Sequence, residues 1–581
     1  MGTISDKLMR IINTKEDIRQ ALISKGYDVP TSIPFKEYAK MILDLPCNAD
    51  SFPDIEGIVA RYSASDLTNE QMATNPVWVD KTGNGHDIQL KNFSWKGMSG
   101  VGGYVGDFSK WVNNRDTTEI GITKSNSKVI IDVKVSQGSG KNIVFISKSN
   151  LGISNNVTIK ITSTYPEGVM KFANSASNKY LKLPSNGIIT LQDNPEYTSN
   201  EMHLHLASAD LGQITIEQLP LYPGALVFDG VDDYGVCDNF PIPTKEKGYT
   251  VVVLRQWITR GKGALGLVSN VKDWLHDGAF LLEYRNIQAD HLNKPISFGA
   301  IGSEMDLPHI LTYQTSKSYN GVSITTGNFE GTDVLHVGKL APTNVGTCIN
   351  TAIWELVFHD HDATEEELAK IKDYFVKTYP WLFPDQAWTV TGKTNEDEDR
   401  ATIANITGNG NNLVLSNFGF VEGSGYNEEG QYAGYLVTDG VDDKIASSDF
   451  KMGKDFTIVG DWKFIDNKKS GTGLVKGSSF YIYNTMIGLD LYINSGSVKN
   501  SLDGIKSINA ACSDGRAYDR NWNEILANTG NVVGSGGMLE VSSSGGRFDR
   551  IAFKNLAIYP RILSKDDCIK AYNYLQTLKS K

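Results

Sequence analysis

The segment Leu226-Val-Phe-Asp-Gly-Val-Asp-Asp-Tyr-Gly-Val236 returns later in the chain as Leu436-Val-Thr-Asp-Gly-Val-Asp-Asp-Lys-Ile-Ala446. In both places an apolar strand runs into Asp-Gly, turns through Val-Asp-Asp and resumes as a second alternating strand. The pattern predicts a tight β-corner, because Gly230 and Gly440 take positive φ at no steric cost and the aspartates bond their own backbone. Two other landmarks recur. The block around Thr82-Gly-Asn-Gly-His-Asp-Ile88 returns at Thr407-Gly-Asn-Gly-Asn-Asn-Leu413. The run Ile353-Trp-Glu-Leu-Val-Phe358, followed by Thr364-Glu-Glu-Glu-Leu, returns as Ile551-Ala-Phe-Lys-Asn-Leu-Ala-Ile558, followed by Ser564-Lys-Asp-Asp-Cys. Repetition at three points requires two similar cores.

The copies differ in length. The corners lie about 210 residues apart and the Thr-Gly-Asn-Gly blocks about 325, so about 115 residues are extra in the first copy. That stretch has a strand grammar of its own, with Val129-Ile-Ile-Asp-Val133, Ile143-Val-Phe-Ile146, Val157-Thr-Ile-Lys-Ile161, Tyr180-Leu-Lys-Leu183 and Ile188-Ile-Thr-Leu191 set between turn residues. It reads as a small β-sandwich emerging from an exposed loop, where insertion costs little. Residues 1–46 have another texture. Ile4, Leu8, Ile11 and Ile12 fall at helical spacing, Thr14 caps a second helix carrying Ile18 and Leu22, and a third places Phe35, Tyr38 and Ile42 on one side. Such a unit is too small to hold a core, so its stripes need a partner surface.

A chain of 581 residues divides into about three or four domains. A net charge of -11 leaves no basic footprint for nucleic acid. Cys47, Cys237, Cys348, Cys512 and Cys568 are scattered and odd in number, which suits buried free thiols. The polar start carries no secretory signal, and no run of apolar residues is long enough to span a bilayer.

The Asp-Gly-Val-Asp-Asp phrase resembles the opening hairpin of laminin-G-like, concanavalin-like jelly rolls. A strand followed by a Ser/Thr-capped short helix also resembles the way laminin-G-like domains end. The run Thr14-Lys-Glu-Asp-Ile-Arg, with its later Pro-Phe-Lys-Glu-Tyr-Ala39, resembles the N-terminal segment of bacteriophage tail and fibre proteins. The expected fold is therefore mainly β: a helical attachment segment at 1–46, a first jelly-roll sandwich at 54–107 and 222–384, an inserted β-sandwich at 108–221, and a second jelly roll at 385–581. The whole arrangement resembles fibre and appendage proteins of crAss-like and related gut bacteriophages. That resemblance implies a virion structural protein, made in the host cytoplasm and not an enzyme. It implies docking through the N-terminus to other virion proteins of capsid or tail, a homo-oligomer with the trimer as the common case, and sandwiches directed at host surface carbohydrate. A bacterial glycan-binding adhesin and a phage glycan depolymerase are the alternatives.

Two sets of residues are candidates for binding. Asp229, Asp232 and Asp233, with Asp439, Asp442 and Asp443, offer hard oxygen ligands suited to calcium, although an acidic corner satisfying its own backbone is the simpler reading. Trp78, Trp95, Trp274, Trp381 and Trp522 sit in polar or Gly-rich stretches and could stack on sugar faces; covering the edges of cores is the alternative for each. His203, His205 and the tract His359-Asp-His-Asp362 could hold a metal, but the second copy has Tyr559-Pro-Arg561 where the first has His359-Asp-His361. No nucleophile elbow, zincin motif or phosphate loop occurs.

Overall fold

The computed structural model describes most of residues 52–580, with breaks chiefly at 136–138, 148–156, 166–169, 174–179, 191–201, 272–280, 286–297, 301–309, 324–328, 341–347, 466–471, 494–500, 504–507 and 527–534. Of residues 1–51 it describes Lys15 and Arg19, both helical. The attachment residues Ile4, Leu8, Ile11, Ile12, Ile18, Leu22, Phe35, Tyr38 and Ile42 lie outside the described residues.

By its internal contacts the chain separates into two units, Met1–Glu56 with Thr364–Tyr379, and Gly57–Ala363 with Pro380–Lys581. The helix Glu365–Thr378, expected to close the first sandwich, thus groups with the N-terminal residues. It begins with a full capping box, in which Thr364 and Glu367 satisfy each other's backbone N–H, and three acids occupy its first turn. It buries Ile371, Tyr374 and Phe375, and Phe52 meets Tyr374 edge-on at 5.1 Å.

The larger unit is mainly β and contains the two sandwiches. In the first, one sheet runs Gly100–Val101, Leu226–Asp229, Asn350–His359, Thr250–Trp257, Leu311–Thr315, Ser318–Tyr319 and Val322–Ser323, with Ile58–Ser63 also paired to Asn350–His359. The second sandwich repeats this order as Gly425–Asn427, Tyr435–Val437, Ile551–Tyr559, Thr457–Phe464, Ile508–Cys512, Arg516–Asp519 and Glu524–Leu526, with Gln386–Thr389 on Ile551–Tyr559. The facing sheets agree over six strands: Val77–Trp78, Ile88–Lys91, Tyr234–Cys237, Leu335–Val337, Ala264–Ser269 and Leu281–Arg285 correspond in order to Thr402–Ile403, Leu413–Ser416, Lys444–Met452, Ser535–Val541, Thr472–Lys476 and Phe480–Asn484. Beyond these they differ, since Phe298–Ala300 runs parallel to Leu281–Arg285, whereas Gly488–Ile493 runs antiparallel to Phe480–Asn484 and pairs in turn with Ser501–Asp503. Even the bulges recur, at Leu254/Arg255 and Asp461/Trp462, and at Gly266/Val268 and Gly473/Val475. Bulges re-aim the strand that carries them, so their repetition fixes the same curvature in both sheets.

Between the sheets of each sandwich lies one core. Tyr62, Trp78, Ile88, Phe228, Val251 and Leu356 belong to the first, and Trp388, Ile403, Leu413, Ile458, Trp462 and Phe553 to the second. Alternation along each strand puts these residues inward. The insert forms two further five-stranded sheets over 112–218, one of which buries Val129, Ile131, Ile159, Ile161, Ile214 and Ile216.

The C-terminal helix Lys565–Gln576 joins the three β bodies. Within the second sandwich, Asn555 Nδ2 donates to the Leu575 carbonyl at 3.2 Å and Gln576 Nε2 to Asp461 Oδ2 at 3.3 Å. Toward the insert, the Thr158 hydroxyl donates to Asn573 Oδ1 at 3.0 Å. Toward the first sandwich, Gln256 Nε2 donates to the Thr577 hydroxyl at 2.8 Å. These contacts explain why Asn573 and Gln576 are buried on a helix whose sequence looks amphipathic.

Candidate functional site

The corners fold as their sequence dictates, and they do so twice with the same bonds. Gly230 has φ +77° and Gly440 φ +74°. Asp229 Oδ1 accepts from the Val231 N–H at 2.7 Å, and Asp439 Oδ1 from the Val441 N–H at 2.7 Å. Asp233 Oδ2 accepts from the Asp229 N–H at 3.0 Å and its Oδ1 from the Ser99 hydroxyl at 3.0 Å. Asp443 does likewise with the Asp439 N–H at 2.7 Å and the Ser424 hydroxyl at 3.0 Å. Asn92 and Asn417, both left-handed, donate to the Asp232 and Asp442 carbonyls, each at 3.0 Å.

Burial pushes the Asp233 carboxyl up to about 7 and that of Asp443 to about 6, despite the hydrogen bonds that lower them. In each triad the carboxylate oxygens converge within 4.8 Å, which a calcium ion would require. Three oxygens of each triad nevertheless already accept hydrogen bonds, two from the turn's own backbone and one from Ser99 or Ser424. The arrangement builds a corner with or without an ion.

Three of the five tryptophans are buried, in keeping with the alternative that they cover cores. Trp78 is wholly buried and donates its indole N–H to the Ser63 carbonyl at 2.8 Å. Trp381 is buried beneath Lys570, whose ammonium lies 4.3 Å from its ring centre, and Trp522 is buried edge-on against Tyr572. None of the three offers a ring face to a sugar, because polar sequence neighbours can flank an inward-pointing residue on a strand or turn. Trp95 is half-buried, stacked on Phe93 at 4.9 Å. Trp274 lies outside the described residues.

The histidine tract does not converge either. Asp360 pairs with Lys247 at 2.9 Å and with His361 Nδ1 at 3.1 Å, which holds its carboxyl low. Asp362 instead accepts from the Ser316 N–H and hydroxyl, each at 2.8 Å, and faces Lys317. His203 and His205 share a face of Met202–Ser208 by alternation, but their side chains fall outside those described.

A different surface stands out once the sandwiches are superposed by register. On the first, the side of Val77–Trp78, Ile88–Lys91, Tyr234–Cys237, Leu335–Val337 and Ala264–Ser269 that faces away from the core carries a row of directly opposed residues: Val77, Gln89, Val236, His336 and Ser269. Gln89 and Lys91 are exposed, Tyr234 and Val236 half-buried, and His336 and Ser269 buried. His336 is 2% exposed, and its Nδ1 has no hydrogen-bond partner. Burial, and secondarily the charge of Lys339, lower its pKa to about 4, so the ring is neutral at pH 7. Lys339 places its ammonium 4.6 Å from the centre of the Tyr234 ring.

The same row on the second sandwich reads Thr402, Val414, Ala446, Glu540 and Lys476. There Glu540, in the position of His336, takes the Lys444 ammonium at 3.2 Å, and Lys444 stands where Tyr234 does. The surface is closed by an ion pair.

Val77 links the row to a groove of about 690 Å³ on the first sandwich, beside the short helix Asn69–Thr74. Leu67 and Val77 contribute apolar lining, and Asp66, Glu70, Gln71, Asn75 and Lys81 the polar groups. The second copy has no helix at this place, only the turn held by Thr394, whose hydroxyl bonds Asp397 at 2.9 Å. Sequence reading missed this surface because it searched for motifs and aromatics. The signal available in the sequence was Tyr234 against Lys444 after the repeated corner phrase; that His336 matches Glu540 comes from strand register.

No family model and no curated protein matches the chain. Among solved structures it is similar to Trypanosoma rangeli sialidase in complex with 2,3-difluorosialic acid, at 9% identity over 81% of this chain and 86% of that one, with a TM-score of 0.24. It is also similar to the same enzyme in complex with sialic acid, at 10% identity and a TM-score of 0.22, and to the binding domain of botulinum neurotoxin serotype D, at 10% identity over 60% of this chain and 89% of that one, with a TM-score of 0.22. At such scores the likeness bears on neither ligand nor activity.

Proposed function

We propose that this chain is a non-catalytic appendage or fibre subunit of a bacteriophage virion, attached through residues 1–46, whose first sandwich binds carbohydrate on the host surface. The observation that carries the binding role is the divergence between two otherwise matching sandwiches. One outer sheet face is neutralised by Lys444 and Glu540, while its counterpart keeps the half-buried phenol of Tyr234 and the exposed amide of Gln89 on adjacent strands beside a polar groove, with the neutral His336 ring buried in the same face. Sugars are bound by such sets, in which neutral donors and acceptors meet hydroxyls around an apolar patch. The second sandwich, the insert and the C-terminal helix then act as the rigid mount.

The test is a glycan array and whole-cell binding with the purified full chain, with and without calcium, alongside particle assembly with a chain lacking residues 1–46. Specific binding together with failure of the truncated chain to join particles supports the proposal. Absence of binding to every glycan removes the recognition role, and normal incorporation of the truncated chain removes the docking role. Loss of polysaccharide viscosity on incubation would show a depolymerase.

A further inference from the structure

We infer that the carbohydrate recognised by the first sandwich carries an acidic substituent, and that Lys339 is the residue that binds it. The inference rests on the proposed carbohydrate site and names its ligand class. Lys339 is on the row's flank because Gly338 adopts φ +78° and turns the chain at the end of Leu335–Val337. A side chain at 338 would meet the Phe228 ring, since its Cβ would lie 2.5 Å from a ring carbon. The close approach and the left-handed turn therefore both require glycine. In the sequence of the second sandwich Ser542 and Ser543 follow Glu540 as Gly338 and Lys339 follow His336, so the lysine is not repeated.

Charges of both signs lie near this surface, with Asp66 and Glu70 in the adjoining groove. Among the described residues no carboxylate forms a salt bridge with Lys339, whose ammonium rests on the Tyr234 ring. Lys91 lies directly opposite Tyr234 in the adjacent strand and is exposed. Asp238 acts electrostatically on His336 against Lys339, but as the weaker of the two. On the second sandwich the cation Lys444 has its own acid in Glu540. An ammonium held by an aromatic face but without a carboxylate partner is a ready counter-charge for a ligand anion. The exposed Gln89 amide adds hydrogen bonding for a neighbouring hydroxyl without adding charge. A carboxylated sugar such as a uronic acid, or a sulfated one, supplies this combination; a neutral hexose leaves the ammonium unmatched.

The experiment compares neutral, uronic-acid-containing and sulfated glycans on one array, using the intact chain with Lys339→Ala and Lys339→Arg. Expected are binding to acidic glycans that weakens with added salt, a loss of tenfold or more in Lys339→Ala (roughly 1.4 kcal/mol), and substantial retention in Lys339→Arg, with melting temperatures unchanged. The uronic and sulfated arms identify which anion is preferred. Binding confined to neutral glycans, or acidic-glycan binding indifferent to Lys339→Ala, overturns the inference and leaves the carbohydrate reading standing. Binding to no glycan of any class overturns both.

Discussion

The two sandwiches share strand order, bulges and corner hydrogen bonds, yet they are built from different residues wherever the geometry allows it. Tyr62 donates its hydroxyl to the His86 carbonyl, and in the second copy the indole of Trp388 donates to the Asn411 carbonyl at 2.9 Å. Asp80 accepts from the Thr82 hydroxyl at 2.8 Å, where Asn405 accepts from Thr407 at 3.0 Å. In both pairs the bond is kept while the chemistry changes. Buried polar groups must be satisfied, but any donor of the right reach will satisfy them. The outer sheet face obeys no such constraint: His336 and Glu540 occupy one position and serve different ends. A difference inside a hydrogen-bond network is therefore drift within a fold, whereas a difference on a face that packs against no core points to use.

The largest expected effect concerns the corners. Gly230→Val should cost about 4 kcal/mol and Gly440→Val about 2 kcal/mol. The added Cβ falls 2.7 Å from Asn350 Cβ in the first case and 3.2 Å from Arg550 Cβ in the second. Denaturant unfolding measures both, and equal costs would show that strain, not crowding, dominates.

Acidification should separate the copies next. Since the folded His336 ring binds its proton less tightly than an unfolded one, its contribution is complete above about pH 6.5 and is lost as pH falls toward 4. Asp233 and Asp443 act in the opposite sense. Raised above 3.8, they hold protons more tightly when folded, so their contribution is present in acid and is lost as pH climbs through about 6 to 7. Relative to the wild type, His336→Asn should therefore gain about 2 kcal/mol between pH 7 and pH 5. Parallel stability curves for the two proteins would refute the buried neutral ring.

Smaller effects test the shared networks. Ser99→Ala and Ser424→Ala each remove one donor to a buried carboxyl and should cost about 1 kcal/mol, equal within a few tenths. Asp80→Asn imports the second copy's solution and should cost less than about 1 kcal/mol, through the lost bond from the His86 N–H. A much larger loss would mean the carboxylate does more than close its turn.

Much of the fold was legible because a repeat exposes its own grammar. The Asp-Gly-Val-Asp-Asp phrase specified a left-handed glycine and self-bonding aspartates, and Thr364 and Ser564 announced helix starts, all of local origin. Long-range facts were not legible. Nothing near Trp78 or Trp522 signalled that their polar surroundings wrap an inward ring, and nothing in Lys565–Gln576 signalled contacts with Thr158 and Gln256 hundreds of residues away. The candidate surface needed strand register, because only register shows that His336 and Glu540 are the same position.

The most direct measurement is to give the first sandwich the outer face of the second. Titration calorimetry on Tyr234→Lys with His336→Glu, against the strongest glycan from the array, should detect no binding while the melting transition stays cooperative. Wild-type affinity in that variant would contradict the account, because the difference between the two sandwiches would then carry no function.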